Sequence, residues 1–162
     1  MNSLIEFVKK QNVGQVQRII RQQGFFLDIN KKTDNGYTAL YLAVQGNSLE
    51  MVELLLKNNA DPNLWCHKKV PLHVAIERRN VALARLLLNN GASVNIKDHA
   101  GYSPLMYTVI TLNKAMVQLL LEYGAKTNTI VSKDNKHALI LAKETEHSEI
   151  IRLLKECKTM GQ

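Results

Sequence analysis

Residues 38–63 read TALYLAVQGNSLEMVELLLKNNADPN, and this segment is the clearest indicator of the fold. Its run of three leucines at 54–56 recurs at 86–88 and at 119–121, with offsets of 32 and 33 residues. A fixed period near 33 residues is the sequence signature of a protein built from stacked repeats. The sequence therefore predicts a chain made of similar, adjacent units.

Local signals within the stretch predict two helices joined by a turn. Thr38 and Ser48 carry hydroxyl groups that can cap the N-terminus of a helix. Leu49, Val52, Leu55 and Leu56 recur at helical spacing, which is typical of a helix face turned toward a core. Each unit is therefore a helix–turn–helix, and the predicted fold class is all-α.

The repeat pattern predicts a single domain over residues 1–157 and a short tail at 158–162. The repeats occupy residues 1–30, 31–63, 64–95, 96–128 and 129–157, and the first and last are degenerate. Terminal repeats of a stack are atypical because one face of each meets water. The end of the first repeat is about three residues longer than the corresponding later segments.

Composition excludes several classes of protein. The 162 residues are 46% hydrophobic and 22% charged, which is typical of a globular domain. No apolar run is long enough to span a membrane, and Lys9 and Lys10 interrupt any secretory signal.

Cys66 and Cys157 form no CxxC pair, so we expect free thiols in a reducing compartment. The expected location is cytoplasmic, with the nucleus as a second location.

The net charge of +7 is concentrated in the third repeat. Residues 64–95 carry five basic residues against one acidic residue, whereas residues 31–63 have a net charge of −1. A local positive field attracts acidic partners and speeds their approach. We therefore expect the partner of this chain to carry an acidic patch.

The hairpin of the third repeat, residues 64–69, is one residue shorter than its neighbours. Lys68 falls where the adjacent repeats have Gly36 and Gly101, so either Lys68 is strained or the turn is of another type. Trp65, the only tryptophan, lies on the same hairpin. Tryptophan is enriched at interface hot spots, but packing on the adjacent hairpin is an equal alternative.

These residues resemble the ankyrin repeat family, whose pattern is G-x-TPLHLA, a turn, a leucine-rich helix and GADVN. The corresponding segments read GYTALYLA at 36–43, VPLHVA at 70–75 and GYSPLM at 101–106. The resemblance covers essentially the whole chain. It implies paired antiparallel helices with projecting hairpins, and a concave surface of hairpins and first helices that binds other proteins.

Matching the repeats by register gives an alternating aromatic and basic row just before the first helices, formed by Tyr37, Lys69, Tyr102 and Lys136. Such a row would offer stacking and charge together, while the alternative is an ordinary solvated hairpin. The full set of predicted partner-binding residues is Trp65, His67, Lys68, Lys69, Tyr37, Tyr102, Lys136, Arg78, Ile110 and His99.

No catalytic, cofactor or metal site is predicted. Cys66 and His67 are neighbours on a hairpin and point in opposite directions, so they do not form a nucleophile and base. Zinc needs three or four ligands at defined spacing, and these two residues with His73 have no matching second pair. Neither GxxxxGK nor GxGxxG occurs.

We therefore expect a non-catalytic module that binds a partner protein and acts as an adaptor or inhibitor of the IκB-like kind. Binding of nucleic acid or another polyanion through the basic third repeat is the alternative, and no small-molecule substrate is expected. The chain has 15 Asn, 15 Lys and 11 Ile against 6 Arg, as AT-rich coding would produce. This bias fits a host-directed protein of a virus or an intracellular bacterium.

Overall fold

The computed structural model describes residues 3–130 and 136–159, and within them the chain is helical with no extended strand. This confirms the predicted all-α fold class. The helices are α1 (Ser3–Lys9), α2 (Val13–Gln23), α3 (Ala39–Gln45), α4 (Leu49–Lys57), α5 (Pro71–Glu77), α6 (Val81–Asn89), α7 (Pro104–Ile110), α8 (Lys114–Glu122), α9 (Ala138–Glu144) and α10 (Ser148–Thr159), and a 3-10 turn spans Gly24–Phe26. The last helix extends two residues into the predicted tail, whose remaining residues, 160–162, lie outside the described part.

Side-chain caps start the helices where the sequence predicts them. Thr38 Oγ1 accepts the N–H of Tyr41 at 3.2 Å, and Ser48 Oγ accepts the N–H of Met51 at 3.4 Å. Each cap satisfies one of the backbone donors that a helix N-terminus leaves free. Thr38 therefore fixes the start of α3, and Ser48 fixes the end of the turn that leads into α4.

Residue contacts divide the chain into two compact units, Met1–Ala92 and Ser93–Gln162. In the first unit α1, α3 and α5 pack side by side, and α2, α4 and α6 form a second layer. In the second unit α7 packs against α9, and α8 packs against α10. The single domain over residues 1–157 stays a prediction.

The core of the second repeat differs from the predicted face at one position. Leu55 is fully buried, as expected, but Leu49 is 46% exposed. Leu49 is the first residue of α4, and side chains on a helix lean toward its N-terminus. The Leu49 side chain therefore extends beyond the end of the helix, where it is only partly covered. Met51 is buried instead.

The asparagine that ends the repeats clamps one repeat to the next. In the second unit, Asn95 Nδ2 donates to the carbonyl of Gly124 at 3.3 Å, and Asn95 Oδ1 accepts the N–H of Lys126 at 2.8 Å. Asn30 makes the equivalent two bonds within the first unit. This residue type therefore recurs because its amide can donate and accept at once.

Candidate functional site

The hairpins of the last four repeats each place one residue at an equivalent position, separated from the first helix by a single N-cap residue. All four side chains at this position are half-buried, so each offers part of its surface to solvent. The residues are Tyr37 and Lys69 in the first unit and Tyr102 and Lys136 in the second. A continuous row that joins the two units stays a prediction.

The third-repeat hairpin is a two-residue turn formed by His67 and Lys68. The N–H of Cys66 donates to the carbonyl of Lys69 at 2.9 Å, and the N–H of Lys69 donates back at 3.3 Å. His67, and not Lys68, takes a positive φ of 56°. The turn is therefore of another type than in the adjacent repeats, which was the second of the two alternatives. The Lys68 side chain is exposed.

His67 joins the third hairpin to the second. Its Nε2 lies 2.6 Å from the carbonyl oxygen of Asn35, and its ring packs edge-on against Tyr37 at a centroid distance of 4.7 Å. Tyr37 also lies 5.2 Å from the ring of Tyr41, whose pKa is raised by burial. The structure thus brings two predicted site residues, Tyr37 and His67, into one aromatic cluster.

Cys66 has a structural role. Its side chain is 1% exposed, its Sγ accepts the N–H of Thr38 at 3.4 Å, and it lies 3.6 Å from Thr38 Oγ1. His67 is exposed and contacts Asn35 instead. The thiol therefore links the start of the third hairpin to the N-terminus of α3. His67 does not serve as a general base for it.

Two of the candidate lysines are matched by a carboxylate eight residues further along the chain. Lys69 forms an ion pair with Glu77 at the end of α5, and Lys136 Nζ lies 2.8 Å from Glu144 Oε1 at the end of α9. The sequence analysis did not predict these pairs. Both join a lysine to a glutamate eight residues later, and this shared spacing could have indicated them. The predicted basic row is less positive than its lysines indicate.

Exposed side chains carry the remaining charge of the third repeat. Lys68 and Arg78 are both exposed, and neither forms an ion pair with a carboxylate of residues 3–130 or 136–159. Trp65, on the same hairpin as Lys68, is half-buried. Its indole therefore has one portion packed on the protein and another portion open to solvent.

The second unit presents a different set of side chains. Tyr102 packs against Tyr107 at a centroid distance of 5.7 Å, and Tyr107 donates its hydroxyl to Asp98 Oδ2 at 2.6 Å. His99 is exposed on the same hairpin, and Ile110 is 45% exposed at the end of α7. These predicted residues offer aromatic, imidazole and aliphatic surface.

The described residues contain no group of three or more histidine, cysteine, aspartate or glutamate side chains that could hold a metal ion. None of the described helices is long and apolar enough to cross a membrane. The first unit offers rings and cations, and the second offers rings, an imidazole and an exposed aliphatic side chain. Side chains of these kinds suit the recognition of another macromolecule.

Three known proteins resemble this chain over part of their length. A putative ankyrin repeat protein of fowlpox virus is 31% identical over 160 residues, which is 94% of this chain and 47% of that protein. A second putative ankyrin repeat protein of fowlpox virus is 31% identical over 74 residues, 45% of this chain and 10% of its own length. Transient receptor potential cation channel subfamily A member 1 of Homo sapiens is 33% identical over 100 residues, 60% of this chain and 9% of the channel.

The chain spans less than half the length of each of these proteins. The family profile described as "Ankyrin repeats (3 copies)" matches residues 4–98 and 72–161. These overlapping matches cover nearly the whole chain, and they include the helical pairs and hairpins described above. The chain belongs to the ankyrin-repeat family.

Proposed function

We propose that this chain binds a partner protein through the hairpin of the third repeat and the adjoining end of α5. Ankyrin repeats are in general non-catalytic modules for protein–protein interaction. The observation that carries the proposal is the exposure of Lys68 and Arg78, whose charges no described carboxylate matches. The partner's contact surface is acidic, because opposite charges guide the two surfaces together and penalise wrong partners.

The aromatic side chains beside these cations supply contact area. Trp65, His67 and Tyr37 are each exposed or half-buried in the same unit. Tryptophan and tyrosine rings contribute much of the affinity at interfaces because they bury a large area and retain few rotamers. We expect these rings to form the centre of the contact and the two cations to form its rim.

The role of the complex is that of an adaptor or an inhibitor. The match to a fowlpox virus protein over 94% of this chain supports a host-directed role, in which the partner is a host protein. The proposed encounter takes place in the cytoplasm or the nucleus. A module without chemistry of its own acts by joining its partner to another protein or by covering the partner's working surface.

Affinity capture with mass spectrometry tests this proposal. The variant Lys68→Ala/Arg78→Ala should lose the partner that the wild type captures, with affinity reduced about tenfold or more when measured on the purified pair. The matched control is Arg18→Ala/Lys126→Ala, which removes the same charge from two other exposed positions. Equal affinity in the two variants would show that the third hairpin is not the contact.

Binding of a polyanion is the rival interpretation of the same exposed cations. Titrations against single- and double-stranded nucleic acid at two salt concentrations separate the two proposals. Contacts to phosphates release counterions, so binding of this kind weakens steeply as salt rises. Binding that is absent or independent of salt would remove the rival.

A further inference from the structure

The longer end of the first repeat leaves a phenylalanine in solvent beside an open groove. Phe26 is 97% exposed and ends the 3-10 turn Gly24–Phe26. The groove has a volume of about 640 Å³, and Ile20, Leu27 and Ile29 supply its apolar lining. The neighbouring Leu27 lines the groove, so an aromatic knob adjoins a hole that is partly apolar and partly polar in the same unit.

The backbone holds Phe26 in this position. Gly24 ends α2 with a positive φ of 43°, and its N–H donates to the carbonyl of Ile20. The N–H of Leu27 then donates to the carbonyl of Gly24 at 3.2 Å, which closes the turn around the phenylalanine. The turn fixes the backbone at Phe26, so binding has to order only the rotamers of its side chain.

Three charged side chains line the same groove, and one of them, Lys57, forms an ion pair with Glu53. Arg21 and Asp28 are both exposed, and no described carboxylate pairs with Arg21. Asp28 Oδ1 accepts the N–H of Asn30 at 3.0 Å, and Oδ2 is directed to no other described group. One surface thus carries a knob, a hole, a cation and an anion.

We propose that a second copy of this chain binds this face about a two-fold axis. Each Phe26 enters the groove of the other copy, and each Arg21 pairs with the other copy's Asp28. A two-fold interface joins identical patches, so every feature must find its complement on the same patch. The knob, the hole, the cation and the anion together meet that requirement, which a surface suited to an unrelated protein need not do. This surface is distinct from the third-repeat hairpin, and its test does not depend on the proposed function.

Sedimentation velocity on the full chain tests the proposal. The wild type should pass from monomer to dimer between about 5 and 500 μM, the range of a weak dimer with a small interface. Phe26→Ser should weaken the association at least about tenfold, since the ring is its central anchor. Ile130→Ser removes an exposed aliphatic side chain from the other unit and should leave the association unchanged. A wild type that stays monomeric, or a dimer that tolerates Phe26→Ser, overturns the proposal.

Mixing two charge variants gives a second, independent readout. Arg21→Glu and Asp28→Lys each place like charges opposite one another in their own dimers, so each should be monomeric alone. In a mixed dimer the introduced glutamate of one copy would meet the introduced lysine of the other, and the native Arg21 would meet the native Asp28, so the mixture should associate. Circular dichroism spectra equal to the wild type confirm that both variants are folded. A mixture that remains monomeric contradicts the two-fold pairing of Arg21 with Asp28.

Discussion

Truncating the repeat-ending asparagine should measurably loosen the stack. Asn95→Ala removes the bond at 2.8 Å to the N–H of Lys126 and the longer bond at 3.3 Å to the carbonyl of Gly124. A net hydrogen bond contributes about 0.5–1.5 kcal/mol to stability, and the longer of these two belongs at the low end. Both hydrogen bonds lie near the surface, where water can bond the Gly124 carbonyl and the Lys126 N–H once the asparagine is removed. We therefore expect a loss of about 1–2 kcal/mol in the free energy of unfolding.

Urea unfolding followed by far-UV circular dichroism measures this change. With a slope near 2 kcal/mol per molar urea, the midpoint should fall by about 0.5–1 M. Gln118→Ala is the matched control, because it removes an exposed amide on α8 that bonds no described group, and it should shift stability by less than about 0.5 kcal/mol. If Asn95→Ala shifted the midpoint no more than Gln118→Ala does, the clamp would have no energetic role.

Three further predictions follow from burial and ionisation. Leu55→Ala should lower the free energy of unfolding by about 2–5 kcal/mol because Leu55 is fully buried, while Leu49→Ala should cost less than about 1 kcal/mol; urea unfolding of both variants checks the difference. The hydrogen bond and charge of Lys114 lower the pKa of Glu149, so the associated stability is present above the unfolded pKa and is lost as pH falls through the folded pKa. In Lys114→Met the Glu149 carboxyl should titrate at a higher pH when followed by NMR. An unchanged pKa of Glu149 would show that the ion pair with Lys114 does not form in solution. Burial raises the pKa of Tyr41, so the contribution of its neutral hydroxyl to the free energy of unfolding is lost as pH rises above about 10. Tyr41→Phe should therefore show a smaller fall in the urea midpoint between about pH 9 and pH 11 than the wild type does.

The repeats and their helices could be predicted because their signals are local and periodic. The leucine runs, the capping hydroxyl groups of Thr38 and Ser48, and the asparagines at the repeat ends each specify nearby backbone. The error at Leu49 has the same origin, since helical spacing does not indicate how far a neighbouring helix extends. Periodicity identifies a face of a helix, and packing decides which of its residues are covered.

The candidate site was harder to predict because its properties depend on contacts between segments. Register places Tyr37 and Lys69 at equivalent hairpin positions, but only the folded structure shows that Glu77 matches the charge of Lys69 and that Tyr37 packs against His67. The positive φ of His67 also required the geometry of the shortened turn. The exposure of Phe26 had no sequence signal beyond the extra residues that precede the second repeat.

Amide hydrogen exchange with the partner bound shows whether the third-repeat hairpin is the contact surface. Exchange reports the opening of individual backbone hydrogen bonds, so a bound protein slows it where it makes contact. We expect slower exchange at residues 64–70 and at the C-terminal end of α5, with α4 and α6 unchanged relative to the free chain. Slowed exchange confined to α4 and α6, with the third hairpin unaffected, would contradict it.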